Sequence, residues 1–248
     1  MASIKQWLPP AVRLQLRVAW RMGRDWRQGL PGRWASVDSD RPAADELAHR
    51  LTVRQGLGSA VGALRDNKVH NLGIAIHRVE AVVIQPGEVF SFWRTVGRPS
   101  ARAGYLEGRT ITGAAVGTTV GGGLCQLSGM VYLLALQAGL QILERHPHSR
   151  DLYTDSTRFA PLGADATVVY GYKDLRVVNT GPAPLRLRGE IGPDHVALSL
   201  CARAPLEDCE LVFQREPLPD GTRVRTLRRR PPSTLPELLG VDDYPRLP

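Results

Sequence analysis

The alternation of hydrophobic and polar positions changes period several times along the chain, and each change predicts an element. In residues 11–30, Arg13, Arg17, Arg21, Arg24 and Arg27 fall on one side of a helical wheel, and Val12, Ala19, Met22, Trp26 and Leu30 on the other. Pro9 and Pro10 precede this stretch and Pro31-Gly32 stops it. Residues 35–44 have the composition of a linker. Asp45 to Arg65 reads as a helix broken by glycines, and Leu72 to Ile84 as a further helix. Gln85-Pro86-Gly87-Glu88 carries proline and glycine at the central positions of a type II turn. Val89 to Phe92 follows as a short strand, and residues 97–123 are glycine-rich.

Leu124 to Ala138 is apolar at nearly every position, with Leu127, Val131, Leu134, Ala135 and Ala138 at helical spacing. That pattern predicts a buried helix, ended by Gly139. Strands are predicted at Leu140–Glu144, running into Arg145-His146-Pro147-His148, and at Ala166–Tyr172, Leu175–Asn179, Leu185–Ile191 and Val196–Ala202. The proline-rich tail with its Arg228-Arg229-Arg230-Pro231-Pro232 run predicts disorder. The expected organisation is a basic amphipathic helix and linker over 1–44, a domain over 45–214 and a disordered tail over 215–248. The expected fold class is α+β, a buried central helix packed on an antiparallel sheet built mostly from residues 140–202.

Charge narrows the partners. The formal net charge is +8, but the excess sits in residues 1–34 and 215–248 and leaves the middle of the chain neutral. A neutral core with 6% aromatic residues argues against nucleic acid as a partner. A basic amphipathic helix containing tryptophan suits an anionic membrane surface. The plainer alternative is a helix packed on the domain with its arginines in solvent. No apolar run is long enough to span a bilayer and no secretory leader is evident, so the expected location is cytoplasmic, with a peripheral place at the inner membrane face through residues 11–30. The odd number of cysteines, 3, fits a reducing compartment.

The candidate chemistry lies around Cys125, which follows Gly121-Gly122-Gly123 in the first turn of the buried helix. Helix N-termini favour a thiolate, the nucleophilic form, and offer free N–H groups. Gly122 and Gly123 would let a substrate approach the sulfur, and the N–H groups of Cys125 and Gln126 would receive a developing oxyanion, with Ser128 close by. A cysteine nucleophile needs a base and an orienting group. His146 and His148 end the next strand, and Asp165 opens the one after. His148 is nearer the loop leading to Asp165 and is the choice for the base, while His146, beside Arg145, braces the loop. Cys201 and Cys209 read as structural. No metal is expected, because no second ligand pair is spaced to complete a site with the histidines, and no cofactor is called for. Against this stands the reading in which Cys125 is a small core residue and Asp165 shapes a turn.

Four stretches together resemble the VanW family. They are Asn67-Lys68-Val69-His70-Asn71-Leu72, Pro86 to Trp93, Gly121 to Ser128, and Gly163-Ala164-Asp165-Ala166-Thr167. The family takes its name from vancomycin-resistance gene clusters, so the resemblance implies a connection to the cell envelope. A looser resemblance is to the transglutaminase-like, or papain-like, core. It implies Cys125 as nucleophile, His148 as base and Asp165 as orienter. Taken together, these readings lead to a thiol hydrolase or acyl-transferase acting on a peptidoglycan precursor or another amide. The alternative is a non-catalytic envelope module with an inert Cys125.

Overall fold

The computed structural model describes residues 8–38, 48–58, 61–112, 115–150, 158, 160–233 and 235–246. The chain opens with α1 (Pro10–Arg27) and β1 (Ser36–Val37). The linker expected over 35–44 thus begins with a short strand, and its remainder from residue 39 lies outside the described residues. Next come β2 (His49–Gly56), α2 (Ala63–Glu80), β3 (Val82–Ile84), β4 (Val89–Ser91) and α3 (Phe92–Val96). The hairpin β5 (Glu107–Thr112) and β6 (Ala115–Val120) leads into α4 (Leu124–Gln137) and β7 (Gln141–Glu144). The chain continues through β8 (Arg176–Val178), β9 (Leu185–Ile191) and β10 (His195–Ala202), and closes with β11 (Glu210–Leu218), β12 (Gly221–Arg229) and β13 (Glu237–Pro245).

The fold is α+β, and every strand pair is antiparallel. One sheet has the order β1-β3-β9-β10-β2, and two smaller ones run β4-β8-β7 and β11-β12-β13. α4 is the central buried helix. Leu127, Met130 and Leu134 are fully enclosed, and each such side chain contributes about 1.5–3 kcal/mol by leaving water. The helix stops where Gly139 takes a left-handed φ of +69° and Leu140 N–H returns to the Ala135 carbonyl at 2.9 Å. α2 packs on β9, where a Cβ on Gly189 would sit 2.5 Å from Ile76.

Four expectations are corrected. Residues 49–56 form an extended strand, not part of a helix, with Leu51, Val53 and Gln55 on the more buried side. Val82–Ile84 pairs in the sheet, so the preceding helix ends at Glu80 and begins earlier, at Ala63. The tail expected to be disordered is a three-stranded sheet. Arg228 is 5% exposed there, because its guanidinium donates to Glu237 at 2.9 Å and to the Leu140 carbonyl at 3.2 Å. A strand was also expected over Ala166–Tyr172. That segment makes only the isolated bridge Val169–Lys173, and its other polar groups turn to α4 and the His146 loop.

Candidate active site

α4 begins after Gly123, whose φ of +100° favours glycine. Cys125 is the second residue of the helix, so its N–H has no carbonyl one turn back. The sulfur is half-buried, with the Val168 carbonyl 3.8 Å away. Cys201 and Cys209 are buried, and burial pushes both thiols up, with Glu207 adding to the effect at Cys209. Cys125 is therefore the accessible thiol of the three.

The segment after β7 brings His148 to the helix start. Asp165 Oδ2 accepts from His148 Nδ1 at 2.8 Å and from the His148 backbone N–H. Nε2 is the ring nitrogen left to face Cys125. Burial works against a charged ring, but the hydrogen bonds and charges of Asp165 and Cys125 outweigh it and raise His148 to about 9. His148 is thus an imidazolium at neutral pH, held beside a sulfur. Asp165, despite its burial, is kept well below the ordinary carboxylate range, first by the His148 bond and then by Arg145.

A second layer holds Asp165. Its Oδ1 accepts from Tyr244 Oη at 2.6 Å and from Arg145 at 3.2 Å, and Arg145 Nε donates to the Asp165 carbonyl at 2.7 Å. Arg145 is itself bound to Asp242 and lies 5.0 Å over the Tyr132 ring. The C-terminal sheet therefore reaches the site through Asp242 and Tyr244 on β13. Arg145 stood in the sequence as part of a polar run at a strand end. Nothing there linked it to Tyr244.

Several sequence-proposed binding residues do other work. The Gln126 N–H donates to the Gly123 carbonyl at 3.0 Å, which leaves the Cys125 N–H as the donor without a backbone acceptor among the described residues. The Gln126 side chain donates to the Gly56 carbonyl at 2.8 Å and so ties α4 to β2. Ser128 is fully buried, and its hydroxyl donates to the Ala166 carbonyl at 2.5 Å; it braces the Asp165 segment and is not open to a substrate. Gly122 lies against Gly108, where a Cβ would meet backbone at 2.2 Å, and a Cβ on Gly123 would sit 2.8 Å from Lys68 Cγ. The lack of a side chain at these glycines admits neighbouring chain. Asn71 clamps the same turn, donating to the Leu106 and Gly122 carbonyls at 2.9 and 3.1 Å. Lys68 donates to the Leu57 carbonyl at 2.7 Å, and burial, aided by Arg109, lowers it to about 8.

His146 stays outside the constellation. Its Nε2 bonds to Glu144 Oε1 at 3.0 Å, and its carbonyl accepts from Thr167 N–H at 2.7 Å. Glu144 also takes both 2.9 and 2.7 Å bonds from Arg21. Burial pushes Glu144 up, but the His146 and Arg21 hydrogen bonds and the Arg176 charge win and hold it at about 2, against an ordinary 4.5. A lowered carboxylate contributes stability above pH 4.5 that is lost as pH falls through about 2. Glu144→Gln should therefore lower stability at neutral pH by on the order of 3 kcal/mol. In melts from pH 7 downward, its gap to the parent protein should close between pH 4.5 and about 2; a gap that does not vary with pH would contradict the ion-pair account.

Among the described residues no group of three or more His, Cys, Asp or Glu side chains could hold a metal. The family model for VanW-like protein matches residues 67–201. A vancomycin B-type resistance protein VanW of Enterococcus faecalis (strain ATCC 700802 / V583) is 35% identical over 115 residues, 46% of this chain and 42% of that protein. An uncharacterized protein, YoaR, of Bacillus subtilis (strain 168) is 33% identical over 147 residues, 58% of this chain and 46% of that one. The chain thus matches less than half the length of these curated relatives. No solved structure matches it.

Proposed function

Because the chain belongs to the VanW family, we propose that it is a cysteine-dependent acyl-transferase or amide hydrolase acting on cell-wall peptides. The observation that carries this reading is the His148 ring, fixed by Asp165 and set beside an accessible thiol at a helix N-terminus. In this reading the Cys125 sulfur attacks an amide carbonyl, and the Cys125 N–H receives the oxyanion. The His148 imidazolium gives its proton to the departing amine, leaving a thioester on Cys125. An incoming amine, or water, then attacks the thioester carbonyl and gives its proton to neutral His148; the C–S bond breaks, the acyl product leaves and the Cys125 thiolate is restored. The name of the Enterococcus relative supports a link to glycopeptide resistance and so to the cell envelope.

The test is thiol labelling of the native chain followed by peptide mapping. At pH 7 iodoacetamide should modify Cys125 well before Cys201 or Cys209. His148→Ala should slow that labelling roughly tenfold or more through loss of the imidazolium, whereas His146→Ala should leave the pH profile unchanged. Peptidoglycan fragments should protect Cys125 and be found attached to it as thioesters. Labelling of Cys125 no faster than that of the buried thiols would refute the enzyme reading and leave an inert module.

A further inference from the structure

α1 is docked through Leu14, Val18, Arg21 and Asp25. Leu14 and Val18 rest against Gly171, where a Cβ would lie 2.6 and 3.3 Å from them. Arg21 donates to Glu144 and, at 3.1 Å, to the Tyr172 carbonyl. Asp25, 7% exposed, accepts both ends of the Arg176 guanidinium at 2.7 and 2.9 Å. Two apolar side chains and these ion pairs thus form the seat of the helix, and its larger apolar residues are turned out. Trp26 is 74% exposed, Met22 62%, Leu16 56%, Trp20 52% and Val12 38%.

At 100° per residue these side chains form one outward stripe. Arg13 and Arg17 are exposed along one border of it, and Arg27 is exposed between Leu16 and Trp20. The single carboxylate of the helix, Asp25, is turned into the domain, so the outward face carries apolar surface and positive charge with no acid. Apolar area left in water is unfavourable in proportion to its size, and a contiguous stripe of this kind marks a docking face. Tryptophan and arginine are the residues that settle at the headgroup level of a bilayer, and a basic rim without carboxylates is complementary to anionic lipid. No helix among the described residues is long and apolar enough to cross a membrane, so the contact is one of lying on the surface.

We infer that the outward face of α1 seats this protein on an anionic lipid bilayer. The helix also walls a cleft of about 580 Å³ that Trp20, Arg24, Tyr172 and His146 line, so the bilayer lies beside the loop that carries His148. This inference rests on the surface of α1 and stands apart from the chemistry proposed for Cys125.

The experiment uses the full chain with vesicles of phosphatidylcholine alone and of phosphatidylcholine mixed with phosphatidylglycerol. The protein should sediment with the mixed vesicles at low salt, with a blue shift in tryptophan emission, and be released by added salt. Trp26→Ala combined with Met22→Ala, both at exposed positions, should weaken partitioning about tenfold or more while leaving the melting temperature unchanged. Arg13→Gln with Arg27→Gln should weaken it by about tenfold, only on anionic vesicles. Failure to bind mixed vesicles at low salt, or equal binding to neutral ones, overturns the inference. So does a concentration-dependent dimer that the Trp26 and Met22 substitutions abolish without any vesicle binding, which would assign the face to a second copy of the chain.

Discussion

Asp165→Asn should cost about 3 kcal/mol of stability, lower the melting temperature by roughly 10 °C, and slow any acyl transfer about 10⁴-fold. Every lone pair of this carboxylate is spoken for by a donor: His148 N–H and Nδ1 on Oδ2, Tyr244 Oη and Arg145 on Oδ1. An asparagine must turn its NH₂ toward one of those pairs. Either flip sets donor against donor in a partly buried place and removes the charge that faces Arg145 and His148.

The sign of the pH dependence follows from both partners. Asp165 is lowered from 3.8, so its contribution is present above that value and lost as pH falls below it. His148 is raised from 6.5 to about 9, so its contribution is complete below 6.5 and lost as pH rises through about 9. The stability gap between parent and variant should therefore be widest between about pH 4 and 6.5 and narrow on both sides. Thermal melts across that range decide the matter. A gap that is flat with pH would mean Asp165 acts only as a turn residue.

The parts of this site that were legible in the sequence are those set by local pattern. A mostly apolar run bounded by glycines specifies α4, alternating apolar positions mark the start of β9, and a near-continuous apolar run marks β10. The order of cysteine on a helix, histidine after a strand and aspartate further on is readable from spacing alone. What spacing cannot carry is the distant partner. Tyr244 meets Asp165 across 79 residues, from a stretch whose prolines and arginines look unfit for a sheet. Arg228 sits on the buried side of β12 because a carbonyl and a carboxylate from elsewhere receive it, and that hides the alternation of the strand. β2 is hidden in the sequence for a related reason: its arginines point outward and its inward side has only Leu51, Val53 and Gln55 to mark it. The orientation of α1 was equally hidden, since Glu144 and Arg176 lie more than a hundred residues away.

Tyr244→Phe should separate the chemical role of the C-terminal sheet from its packing role. The ring is 1% exposed and packs with Leu162, Val224 and Phe213, and phenylalanine keeps those contacts. Only the hydroxyl is lost, and with it the charge-assisted bond to Asp165, worth roughly 1.5–3 kcal/mol, and the 3.1 Å bond it accepts from Arg145. Asp165 keeps Arg145 and His148, so the fold should survive with a modest drop in melting temperature. The carboxylate is then free to rock, and His148 loses a fixed direction toward Cys125. Labelling of Cys125 at pH 7 should slow by about tenfold, with the fall concentrated where His148 is charged. Val224→Ala is the matched control. It opens a cavity in the same sheet and lowers stability by about 1–3 kcal/mol, yet removes no hydrogen bond or charge from Asp165 or Arg145. Under native conditions its labelling rate should equal that of the parent. If Val224→Ala slows labelling as much as Tyr244→Phe does, the sheet supports the site only by being folded. If Tyr244→Phe alone slows it, β13 supplies a positioning residue from beyond residues 67–201, the stretch that the family model matches.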